Sequence, residues 1–99
     1  MSFVMMRPEM LAAAAGNLQA LGSVINASNA AAATLISGVV PAAADEVSAL
    51  TAARFAAHAA MYEAVSAQAA AIHELFVATL GTSAGSYAAT EAANAVATR

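Results

Sequence analysis

Between Glu9 and Asp45 no Asp, Glu, Lys or Arg interrupts the chain. Through that stretch Leu11, Ala14, Leu18, Leu21, Ile25, Ser28, Ala32 and Leu35 recur at alternating steps of three and four residues. This spacing lays one continuous stripe along an α-helix. A helix with so few charges acts by packing an alanine-rich surface against other helices, and it has no means of placing charge.

Pro8 suits a first helical turn, where its missing N–H is not needed, and Glu9 favours the positive end of that helix. Helix 1 is therefore expected over about residues 8–37. Gly38 and Pro41 break the pattern, and Asp45, Glu46 and Ser48 supply an N-cap and an acidic first turn. Phe55, His58, Tyr62, Val65, Ala69, Ile72, Phe76 and Thr79 then form a second stripe at the same alternating spacing, which runs to Gly81. Helix 2 is expected over about residues 45–80, with 38–44 as the loop. A connection of that length makes neighbouring helices antiparallel. The predicted fold is all-α: an antiparallel two-helix hairpin forming one domain over residues 1–80, followed by a mobile tail over 81–99.

A two-helix hairpin buries less of its surface than a compact domain of equal length. This chain is 62% hydrophobic and 9% charged, against roughly 25% charged in an ordinary soluble domain. Met10, Val24, Ile36, Val47, Leu50, Met61, Leu75 and Val77 fall partly off the two seams. Five such side chains left exposed would forgo about 7 to 15 kcal/mol of gross burial energy, as much as the net stability of a whole domain. The apolar excess calls for a partner.

The remaining features mostly exclude functions. Three arginines, no lysine and a net charge of −3 give no basic patch for phosphates, so nucleic acid and anionic membranes are poor partners. The absence of cysteine removes thiolate metal sites and disulfides. The start of the chain lacks the basic-then-apolar order of a secretory signal peptide. Residues 10–37 are long enough to cross a bilayer, but Asn17, Gln19, Asn26 and Asn29 interrupt them.

His58 and His73 stand about 22 Å apart along one helix and cannot share a metal ion within one chain. His58, on the apolar stripe, is expected as a buried or half-buried neutral imidazole with a local partner, and His73, beside Glu74, as plain surface. Glu63 and Glu74 are too far apart to act together as acid and base. Gly81, Ser83 and Gly85 share the Gly-x-Ser-x-Gly spacing, but an all-α chain has no strand-to-helix turn to make it a nucleophile elbow. The Asn26-Ala27-Ser28 triplet matches a glycosylation pattern but falls inside a helix, and the methionines read as groove filler. No cofactor, small-molecule substrate or enzymatic activity is expected.

Several short blocks together resemble the mycobacterial PE family. They are the opening Met1, Ser2, Phe3 and Val4, the pair Pro8 and Glu9, and the run Pro41, Ala43, Ala44, Asp45, Glu46, Val47 and Ser48. Tyr87 and Glu91 fit the Tyr-x-x-x-Asp/Glu signal that such proteins carry behind their hairpin for export by type VII (ESX) secretion. Ala42 departs from the second proline of many members, which bears only on the stiffness of the connection.

The resemblance implies a heterodimeric four-helix bundle with a PPE protein, exported folded, with an EspG-type chaperone holding the PPE subunit in the cytoplasm. The Asp45–Ser48 block and the short tail lean toward the ESX-5 type. Destinations would be the cell surface or the medium. The residues expected at the partner interface or hairpin seam are Leu11, Leu18, Leu21, Ile25, Leu35, Phe55, Tyr62, Val65, Ile72 and Phe76. A membrane-associated hairpin and a self-assembling bundle are the alternatives.

Overall fold

The computed structural model describes residues 6–98; the opening Met1, Ser2, Phe3 and Val4 lie outside them. Two helices account for most of the described residues, α1 over Pro8–Ser37 and α2 over Glu46–Ala97, and no strand occurs among the described residues. Together they form a helical hairpin.

Each helix end has a local cause. The Arg7 carbonyl accepts bonds from the Met10 and Leu11 amides at 3.0 and 3.3 Å, so the first turn closes directly behind Pro8. At the other end of α1 the Ser37 hydroxyl donates to the Ala33 carbonyl at 2.6 Å, and the Gly38 amide donates to the Thr34 carbonyl at 3.0 Å. A Cβ at Gly38 would stand 2.8 Å from that same Thr34 oxygen, so only glycine closes the helix this tightly. Asp45 caps α2 by accepting the Ser48 amide on its Oδ1 at 2.7 Å, while its carbonyl takes the Ala49 amide at 3.1 Å.

The end of α2 differs from the expectation. The helix does not stop at Leu80 but runs 52 residues to Ala97, through Gly81 and Gly85. A glycine inside a helix costs only about 1 kcal/mol relative to alanine, and the flanking sequence is rich in alanine, the strongest helix former. Packing also continues across Gly81: Val77 and Leu80 before it and Ser83 after it are half-buried, and Ala84 is buried. Beyond Ala84 every described residue is exposed.

The chain divides into two compact units, one holding residues up to Gly22 with those from His73 onward, the other Ser23–Ile72. In the first, Pro8, Leu11, Ala15, Leu18 and Gly22 of α1 turn inward, and so do His73, Val77, Leu80, Ser83 and Ala84 of α2. In the second the inward residues are Asn29, Ala32, Ala33 and Ile36 of α1 and Ser48, Ala52, Ala56, Ala59, Ser66 and Ala70 of α2. The buried residues among those described are all alanines: Ala15, Ala52, Ala59 and Ala84.

On α2 the buried face therefore lies one residue along from the large apolar stripe. It follows Ala56, Ala59, Ser66, Ala70, His73, Val77 and Leu80, while Phe55, Tyr62, Val65, Ile72 and Phe76 are exposed. One residue is about 100° around a helix. Small side chains let two helices approach closely, whereas two helices alone cannot cover both faces.

The same rotation corrects both histidines. His58, expected inside with a local partner, is exposed; His73, expected on the surface, is half-buried and bonded across the helices.

Candidate partner-binding surface

In the unit Ser23–Ile72 the two helices leave between them a groove of about 480 Å³. Its wall is mostly hydrocarbon: Ala32, Leu35, Ile36 and Val39 from α1 and its end, Phe55 and Ala59 from α2. Polar groups enter only through Asn29, His58 and Tyr62. The Tyr62 hydroxyl donates to Asn29 Oδ1 at 2.8 Å, which ties the helices across one side of the groove. Leu35 is 76% exposed and Phe55 59%. This is largely apolar surface, with Tyr62 and Asn29 bonded to each other at its edge, and it is suited to receiving another apolar side chain.

The unit built from the chain's two ends carries its own exposed apolar residues, among them Met10, Leu21, Leu75, Phe76 and Val96. Of the stripe residues named from the sequence, Leu11 and Leu18 are half-buried within this unit. Leu21, Ile25, Leu35, Phe55, Tyr62, Val65, Ile72 and Phe76 are exposed. Pro8 begins α1 half-buried and Glu9 is exposed beside it. Tyr87 and Glu91, four apart on α2, share one helix face and are both exposed.

The total accessible area is 7628 Å². A compact folded chain of 9.7 kDa exposes about 5,100 Å². The excess is more than the roughly 800 Å² per partner that a standard protein–protein interface hides. Large apolar side chains such as Leu35, Val47 and Ile72 are among the exposed residues, a feature that marks interaction sites.

The chemistry available is otherwise sparse. Among the described residues no three His, Asp or Glu side chains stand close enough to hold a metal ion, and Glu63 and Glu74 are both exposed. By length and composition alone α2 could cross a membrane. The stretch over 10–37, considered for that role from the sequence, does not pass the same test among the described residues.

Comparison with known proteins gives a match to the PE family over residues 4–94. The chain belongs to the PE family. Over 97 residues it is 73% identical to PE family protein PE13 of Mycobacterium tuberculosis strain H37Rv, covering 98% of each chain. It is 52% identical over 94 residues to PE family protein PE8 and 58% identical over 95 residues to PE-PGRS family protein PE_PGRS33, both of the same organism. The alignments take in 95% and 96% of this chain but only 34% and 19% of those longer relatives. Its likeness to them is thus confined to a part of each, whereas PE13 is matched end to end.

Reasoning from the sequence missed Gly22 and His73, which meet on the inner face of the hairpin. The signal was present in the small-residue stripe Ala15, Gly22, Asn29 on α1 and Ala52, Ala59, Ser66 on α2, each at seven-residue spacing. The more hydrophobic stripe beside it drew the attention instead.

Proposed function

We propose that this chain is a non-enzymatic binding module that pairs with a PPE protein through its exposed apolar stripe and is exported with it by type VII secretion. The observation that carries the reading is the set of large side chains left uncovered along both helices, above all Leu35, Phe55, Val65 and Ile72, at 56% exposure or more. A second pair of helices laid over them completes a four-helix bundle and removes that surface from water.

Tyr87 and Glu91, presented together on the exposed end of α2, are the export signal in this reading. ESX-5 is the system and the cell surface or medium the destination. The cytoplasmic EspG-type chaperone engages the pair through the PPE subunit.

The test is to express the full chain alone and together with the PPE protein encoded beside it, and to compare soluble yield and helical content. A one-to-one helical complex that forms only on co-expression supports the proposal. A soluble helical protein obtained alone points to self-assembly and sinks it. A bilayer reading is favoured by the length and apolarity of α2, but Arg54, Glu63 and Glu74 lie along that helix. Stable insertion into partner-free lipid vesicles would establish it instead.

A further inference from the structure

Gly22 and His73 meet across the two helices. His73 Nε2 lies 2.6 Å from the Leu18 carbonyl oxygen. A carbonyl has no proton, so Nε2 carries the hydrogen and donates it. In helical geometry that same carbonyl also receives the Gly22 amide, and its second lone pair takes the imidazole. The ring consequently brings its Cδ2–Nε2 edge against Gly22: a Cβ built there would stand 2.7 Å from both Cδ2 and Nε2 of His73. A side chain at position 22 would force the imidazole to shift from where it bonds Leu18.

We infer that Gly22 and His73 form a key and keyhole that fix the register in which α1 and α2 dock. In the other unit the inner faces are mostly alanine and serine, and one alanine fits where another did. A slide by one heptad along α1 would bring Ala15 or Asn29 to the place of Gly22, and each has the Cβ that Gly22 lacks. A slide along α2 would bring Ser66 or Leu80 to the place of His73, and neither can reach the carbonyl as an imidazole does. Both wrong registers also strand a half-buried ring N–H.

The other unit has a cross-helix bond of its own, from Tyr62 to Asn29. Asn29 lies eleven residues after Leu18 on α1, and Tyr62, its partner, lies eleven residues before His73 on α2. Eleven residues is close to three full turns, so each pair of residues falls on one face of its helix.

The inference does not depend on the identity of any partner, and its test reads the hairpin itself. Taken alone, Gly→Ala within a helix is stabilising. The prediction is therefore a change of sign. In the parent chain Gly22→Ala lowers Tm by about 4 to 8 °C or more. In a His73→Ala background the same substitution leaves Tm unchanged or raises it.

The chain has no cysteine, so spin labels placed through Ala20→Cys and Ala78→Cys, both exposed sites in one unit, report register directly. Gly22→Ala should displace or broaden their distance distribution, and adding His73→Ala should remove the displacement. The measurements use the full chain in whichever preparation, alone or co-expressed, is soluble and helical, the same for every variant. If Gly22→Ala fails to fold and the double variant folds, the key is supported. Equal loss in both backgrounds, failure of both to fold, or a stabilised Gly22→Ala single variant overturns it.

Discussion

Both units bury alanines where their helices meet, and they close the contact with different kinds of polar bond. In Ser23–Ile72 the bond joins two side chains, Tyr62 and Asn29, beside an open apolar groove. In the unit formed by the chain's two ends, a half-buried imidazole reaches a backbone carbonyl over a glycine. A bond between exposed side chains can be remade in several geometries, whereas a ring seated over a glycine allows one. The first unit is thus shaped to receive something and the second to hold its own helices in place.

The largest expected effect separates receiving from holding. Phe55→Asp and Ile25→Asp, on exposed positions of the grooved unit, should leave the helices formed and abolish pairing with a PPE protein. A carboxylate buried unpaired in an interface costs about 3 to 5 kcal/mol, more than a hundredfold in affinity. Leu21→Asp should behave alike in the other unit. Leu18→Asp is different because Leu18 is half-buried in the hairpin, so it should lower helical content as well. Co-purification with the partner and circular dichroism separate the two outcomes, and intact pairing in Phe55→Asp would refute the groove's role.

A comparable effect on export, with none on pairing, is expected at the exposed end of α2. Tyr87→Ala or Glu91→Ala should leave the complex and its Tm unchanged while the pair disappears from the culture filtrate. Loss of the complex in either variant would instead make this segment part of the holding unit.

The class of the fold and both helix starts were legible because they rest on local chemistry: Pro8 behind an accepting carbonyl, Asp45 reaching the Ser48 amide, and Gly38 and Pro41 between them. The end of α2 was not legible, since a pair of glycines reads as a break until Val77, Leu80, Ser83 and Ala84 are seen to pack. The stripes were legible as stripes, but which one faces inward was not. Hydrophobicity favours the stripe of Phe55, Val65 and Ile72, while close approach favours the stripe of Ala56, Ala59 and Ala70, one residue away. Only the assembled pair of helices decides between them, and that choice also exchanged the environments of His58 and His73.

Asp45→Ala offers a smaller and more local test. Removing the carboxylate leaves the Ser48 amide without its cap and should cost about 1 kcal/mol, or roughly 4 to 8 °C in Tm. Because α2 begins inside the grooved unit, the loss should appear there first. Hydrogen exchange should speed up at amides early in α2 and stay unchanged around His73. Equal acceleration in both would mean that the units do not open separately.

The smallest effect is expected from Tyr62→Phe, and its size bears directly on the contrast between the two bonds. The substitution deletes only the hydroxyl that donates to Asn29, and both groups can reach water when the bond is lost, so the cost should be at most about 1 kcal/mol. His73→Ala removes a donor and leaves a space above Gly22, and it should cost more. A double-variant cycle with Asn29→Ala isolates the hydroxyl–amide coupling. If Tyr62→Phe destabilises the chain as much as His73→Ala, the bond beside the groove is as fixed as the one over the glycine. The grooved unit would then hold its helices as firmly as the other, and its openness could not be attributed to a looser contact.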